Sequence, residues 1–191
     1  MGMPATLDHK WTAEEVRALP EVPGLRFECV DGELLVSPGP RLYHQRAALQ
    51  LLLRLHAYVA GPPRIGEVGF GPGEAELDEH TLVQPDVFVA PLVDGRRPAD
   101  HDEVKRFLLV VEVLSPSSHR SDRVTKRRKY QHTADEYWIV DPPARRVERW
   151  RPHDDKPAIT NDQIVWHPAG RAAPLVLDLP ALFREAFGEA P

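Results

Sequence analysis

The sequence predicts an α/β (α+β) protein with a mixed central sheet flanked by helices and an N-terminal β-hairpin. Three observations carry that expectation. Asp31-Gly32 stands between the runs Phe27-Glu28-Cys29-Val30 and Glu33-Leu34-Leu35-Val36, and Asp-Gly between apolar runs is the strongest short hairpin signal. Residues 107–114, Phe-Leu-Leu-Val-Val-Glu-Val-Leu, are almost continuously apolar and β-branched, the pattern of a strand covered on both faces. Segments of helical periodicity lie on either side of that strand in the chain.

The elements follow in order. Thr12 opens Thr-Ala-Glu-Glu, a capping box with Glu15 at the third helical position; Val16 and Leu19 follow, and Pro20 stops a short first helix. The hairpin covers residues 25–36. After Ser37-Pro38-Gly39-Pro40, residues 44–60 contain no Gly or Pro and place Ala48, Leu52, Leu55 and Val59 at helical spacing, until Gly61-Pro62-Pro63 breaks the helix. Residues 66–89 predict a strand pair, and Pro85 inside it points to a sheet edge or an irregular lead-in. The apolar run ends at Ser115-Pro116-Ser117-Ser118. Residues 122–133 then predict a basic helix, and Glu136-Tyr137-Trp138-Ile139-Val140 the next strand, with residues 147–150 as its hairpin partner. A C-terminal helix is expected over residues 178–187, starting near Pro180, with Leu182, Phe183 and Phe187 as its apolar face.

The 191 residues suit one domain, with a core over about residues 11–150 and a C-terminal extension over about 151–191. Hydrophobic residues at 42% and charged residues at 28% exclude a disordered or fibrous chain, and 20 Pro with 12 Gly predict many rigid turns. The net charge of −5 means that any nucleic-acid surface must be local. A single cysteine, Cys29, cannot form an intrachain disulfide or a Cys-based zinc site, so a reducing, cytoplasmic compartment is expected. The first residues lack the apolar stretch of a signal peptide. No run approaches the roughly 18 apolar residues of a membrane helix.

The informative residue is Glu112, the one charge in a strand that is otherwise apolar. Buried there, it requires a cation, a metal ion or a raised pKa; at the strand's end it would face solvent. Asp86 stands near another strand's end, where it is either a turn residue or a ligand. Two acids from adjacent strand ends can share one hard divalent cation. Asp122, Lys126 and Tyr130 fall at helical spacing on one face, and Lys126 can reach back toward the strand end. Arg120, Arg123, Arg127, Arg128 and Lys129 surround them, either as a phosphate-binding patch or as a solvated face with internal ion pairs. The histidines show no zinc spacing, and no phosphate-cradling glycine loop or nucleophile elbow is present. Cys29 reads as a small core residue and Glu33 as an exposed strand residue.

Taken in order, Phe27-Glu28-Cys29-Val30-Asp31-Gly32-Glu33-Leu34, Pro40 and His44, Gln84-Pro85-Asp86-Val87, Val111-Glu112-Val113-Leu114-Ser115-Pro116-Ser117, Asp122-Arg123 with Lys126 and Tyr130, and Glu136-Tyr137-Trp138-Ile139-Val140-Asp141-Pro142 resemble the Uma-two restriction endonuclease family of the PD-(D/E)XK nuclease superfamily. The resemblance implies a restriction-endonuclease-like core and a metal-dependent endonuclease that hydrolyses phosphodiester bonds of DNA, using Mg²⁺ or Mn²⁺. It implies Asp86 and Glu112 as metal ligands together with the carbonyl of Val113. Lys126 takes the place of the lysine that the parent motif carries two positions after the second acid, where this chain has Leu114. Glu28 and His44 are further candidates, and Arg120, Arg123, Arg127, Lys129 and Tyr130 are expected to contact nucleic acid. A homodimer is expected, because cutting both strands needs two sites. The alternative is a nuclease-like fold that has lost cleavage and binds nucleic acid or a protein.

Overall fold

The computed structural model describes residues 9–116, 118 and 120–189. Helix α1 (Ala13–Arg17) starts at the expected capping box: Thr12 Oγ1 accepts the Glu15 N–H at 3.2 Å and Glu15 Oε2 accepts the Thr12 N–H at 2.8 Å. Strands β1 (Leu25–Val30) and β2 (Glu33–Pro38) pair antiparallel about Asp31 and Gly32, whose φ values of 52° and 87° suit a two-residue hairpin turn. Helix α2 (Leu42–Ala60) buries His44, Ala47, Leu51, Leu55 and Val59. Ala48 and Leu52, expected on that inner face, are only partly buried beside it.

The region expected to hold one strand pair holds four strands in two sheets. They are β3 (Gly66–Phe70), β4 (Ala75–Asp78), β5 (Thr81–Val83) and β6 (Val87–Pro91), and β7 (Leu109–Val113) follows. Of the two readings of Pro85, the irregular lead-in holds and the sheet edge does not: residues 84–86 precede β6, an interior strand paired with β3 on one side and β7 on the other. Proline is tolerated because it precedes the first paired residue and removes no ladder N–H. The chain continues through a π-helical segment, Ser121–Lys126, into α3 (Arg127–Thr133), then β8 (Tyr137–Asp141), β9 (Arg146–Trp150) and β10 (Ala158–Thr160). It ends in the hairpin β11 (Gln163–Trp166) and β12 (Leu175–Asp178), and helix α4 (Leu179–Phe187).

The six-stranded sheet has the order β10-β9-β8-β7-β6-β3 and is mixed, with β7 and β8 parallel and the other pairs antiparallel. A four-stranded sheet, β2-β1-β5-β4, is antiparallel. Helices α2 and α4 cover one face of the large sheet, packing Leu51, Leu55, Leu182 and Phe183 with Val87, Val111 and Trp138. On the other face Val110, Leu114 and Ile139 pack with Tyr130 of α3 and with Val30 and Val83 of the small sheet. Strand β7 is thus covered on both faces, as its sequence predicts. Among the described residues no helix is long and apolar enough to cross a membrane.

The region after Trp150 supplies much of this packing, because α4 is capped by Asp178 at its start and Gly188 at its end and lies against α2. Phe183→Ala, at a side chain with no exposure, should therefore cost about 3–5 kcal/mol. Urea unfolding should show a lower midpoint with an unchanged slope.

Candidate active site

Sheet register brings the two acids together. Val87 pairs with Val111 in the antiparallel β6–β7 ladder, and one further step sets Asp86 beside Glu112. Strand alternation turns Glu112 to the same face as Val110 and Leu114, the face covered by α3 and the small sheet. Glu28 arrives on β1, His44 in the first turns of α2, and Asp122 with Lys126 in the π segment. All six side chains are buried, none more than 8% exposed.

Lys126 is the hub. Its Nζ lies 2.8 Å from Glu28 Oε2, 3.0 Å from Glu112 Oε1 and 3.7 Å from Asp122 Oδ1. Tyr130 donates its hydroxyl to Glu112 Oε1 at 3.3 Å, and the Gln84 N–H donates to Glu28 Oε1 at 2.8 Å. Asp86 has a separate set of partners: Arg26 Nη1 at 3.2 Å on Oδ1, and on Oδ2 both His44 Nε2 at 3.0 Å and the Val113 N–H at 2.9 Å. These groups line a cavity of about 30 Å³, room for one ion or water and little more.

The two neighbouring acids are driven in opposite directions. Burial alone raises the Asp86 carboxyl, but the hydrogen bond and charge of His44, the charge of Arg26 and the Val113 N–H outweigh it and hold Asp86 at about 2. Burial pushes Glu112 well up; Lys126 opposes this, while Asp86, Asp122 and Glu28 add to it. Asp122 is raised for the same first reason, burial, against Lys126. Burial works to lower Lys126, yet Glu112, Glu28 and Asp122 carry it well above the ordinary lysine range.

Asp86, Glu112, Lys126, Glu28 and His44 therefore meet in one place, with Val113 present through its backbone. The expected nucleic-acid contacts do not join them as a basic face. Tyr130 is wholly buried, so it supports Glu112 from within. Arg123 pairs with Glu148 at 2.6 Å and Asp141 at 3.2 Å, and Lys129 pairs with Asp31 and Asp78. Arg127 stacks over Trp150 at 4.6 Å and bonds to Gln131, while Arg120 is exposed. Internal ion pairs thus account for Arg123 and Lys129, and the Trp150 ring and Gln131 for Arg127. Arg26 was not expected; its signal is its position two residues before Glu28, which puts both on one face of β1. Among the described residues no group of three or more His, Cys, Asp or Glu side chains is set to hold a metal, since the acids engage Lys126, Arg26 and His44 instead.

A family model described as "Putative restriction endonuclease", Uma2, matches residues 13–184. The chain belongs to the Uma2 family. A solved structure from Anabaena variabilis, described as a "putative nuclease belonging to DUF820", has 19% sequence identity, a TM-score of 0.72, and coverage of 92% of this chain and 99% of its own. That likeness shows a shared fold. No curated protein matches. The Uma2 match includes every residue of the acid cluster and extends well into α4.

Two outcomes test these electrostatics. Lys126→Ala leaves Glu28 and Glu112 buried without their cation and should cost about 3–5 kcal/mol at neutral pH. Carboxyls with raised folded pKa values favour the folded state below their unfolded values and lose that contribution as pH rises, so the deficit should shrink in acid titrations of stability. Asp86 has the opposite sign: its stabilisation is full above the ordinary aspartate range and is lost as pH falls through about 2. Asp86→Asn should flatten the acid limb of the stability profile below about pH 4.

Proposed function

We propose that this Uma2 protein is a divalent-cation-dependent endonuclease that hydrolyses phosphodiester bonds of DNA. The observation that carries the reading is the meeting of Asp86, Glu112 and Lys126 in one small buried cavity. The donor set suits Mg²⁺ or Mn²⁺. Glu28, Asp86, Glu112 and Asp122 offer carboxylate oxygens, the donors that hard cations take, and these acids outnumber the cationic Lys126 and Arg26 beside them. Asp122 Oδ1 is buried without a hydrogen-bond partner among the described residues. Asp86, Glu112 and the carbonyl of Val113 would hold the ion. When bound, it supplies Lewis-acid charge at the phosphate and a more acidic water.

The chain's own groups do the rest. Lys126 presents a fixed positive charge that orients the attacking water or offsets charge growing on the phosphate oxygens. Glu28 holds Lys126 in position, and Arg26 and His44 fix the Asp86 carboxylate. Arg120 and Arg128 are exposed on the neighbouring segment and are available for phosphate contacts outside the cavity. A homodimer and a cytoplasmic setting belong to the same reading, the latter because a single cysteine, Cys29, forms no intrachain disulfide.

Plasmid nicking in Mg²⁺ or Mn²⁺ tests the proposal. Asp86→Ala and Glu112→Gln should each cleave at least about 10²-fold more slowly than wild type, with chelator abolishing activity. An unchanged rate in Asp86→Ala overturns the site. A wild type that binds DNA and never cuts it points to the non-cleaving binding module.

A further inference from the structure

A trough of about 250 Å³ opens beside the acid cavity. Its lining includes the apolar Ala48, Leu49 and Leu52 of α2, together with Phe70 and Gly71. Arg26, His44 and Asp86 line both the trough and the cavity, so the two spaces share one wall of charged side chains. The sheet explains the adjacency. Phe70 pairs with Val87, the residue after Asp86, and the Gly71 N–H donates to the Asp86 carbonyl at 3.2 Å.

We infer that this trough is a subsite for one unpaired nucleobase next to the cleaved phosphodiester, with Phe70 as its stacking partner. The inference rests on the nuclease reading above and adds the substrate class: single-stranded nucleic acid, or a duplex with one nucleotide turned out of its stack. Phe70 is 57% exposed and Leu49 49% exposed, so the fold leaves both available. A flat aromatic face among aliphatic side chains accepts any base by stacking, whatever its hydrogen-bonding edge.

The inner end has the chemistry for the attached phosphate. Arg26 commits Nη1 to Asp86 and to the Gln84 carbonyl; its Nε and Nη2 make no hydrogen bond among the described residues, leaving donors for a phosphate oxygen. A Cβ on Gly71 would stand 3.2 Å from the Pro85 carbonyl oxygen and 3.8 Å from Arg26 Nη2. Glycine therefore keeps the space beside Arg26 and the Pro85 carbonyl clear. A base paired within a duplex is stacked on its neighbours and cannot enter.

Fluorescence anisotropy with Ca²⁺ in place of Mg²⁺ tests this, using a labelled single-stranded oligothymidylate, a duplex of the same length and an abasic strand. Wild type should prefer the single strand to the duplex about 10-fold or more; Phe70→Ala should lose about 10-fold on the single strand, Phe70→Trp should retain it, and the abasic strand should bind weakly to both wild type and Phe70→Ala. Equal affinity of wild type and Phe70→Ala for the single strand, or equal losses on all three probes, overturns the subsite. So does a change of oligomeric state in Phe70→Ala by sedimentation, which assigns the trough to a second copy of the chain. Nicking that depends on Asp86 but is indifferent to Phe70 refutes the subsite alone, whereas nicking indifferent to Asp86 refutes the nuclease reading beneath it.

Discussion

A buried ammonium held between two carboxylates is the constraint around which this protein is arranged. Lys126 is 4% exposed, and Glu28 and Glu112 are each 2% exposed. Taking such charges out of water costs several kcal/mol per ion, recovered only when the geometry is good and the remaining polar atoms are satisfied. Here the partners come from separate units: Glu28 from the small sheet, Glu112 from the middle of the large sheet, and Lys126 from the segment that covers both. The triad forms only when all three units are in place. It therefore fixes how the small sheet docks on the large one, a role that the apolar contacts of Val30 and Val83 support without specifying.

The same constraint explains why Asp86 and Glu112 behave differently although they are neighbours across one ladder. Two carboxylates so close repel, and each must be answered by its own cation. Glu112 shares one lysine with two other acids and is pushed toward its neutral form, whereas Asp86 has Arg26, His44 and a backbone N–H to itself and stays ionised. Environments that separate the pKa values of paired acids are a mark of sites where the two take different roles. The protons of such a cluster belong to it jointly, so removing Lys126 alters Glu112 and Asp122 together.

The sequence made much of this legible where local rules act strongly. Asp31-Gly32 can form a tight hairpin turn, Thr12 and Glu15 cap each other, and a lone Glu112 in an apolar strand has to find a partner. What stayed hidden was set by distant contacts. Strands β4 and β5 are four and three residues long, too short for an alternating pattern to declare itself, so the small sheet was not separable from the large one. Ser121–Lys126 reads as the start of an ordinary basic helix, and nothing in its residue types marks the wider i→i+5 winding. Arg123 and Lys129, two of the residues that suggested a phosphate surface, are answered by Glu148, Asp141, Asp31 and Asp78, acids far away in the chain that only the fold brings near.

The position of the lysine follows from the face it must serve. Leu114 lies two residues after Glu112 on the same side of β7, fully buried among Tyr130, Tyr137 and Ile139. A lysine there would carry its stem and charge into the centre of that cluster, at the cost of an apolar contact and with its ammonium still to be directed back to Glu112. Lys126 meets the same carboxylate from the covering segment, at 3.0 Å, while Leu114 keeps the sheet packed. The site needs a cation at a defined distance from Glu112 and sets no requirement on which element supplies it. A long flexible side chain on the segment that already closes this face satisfies both the electrostatic need and the packing.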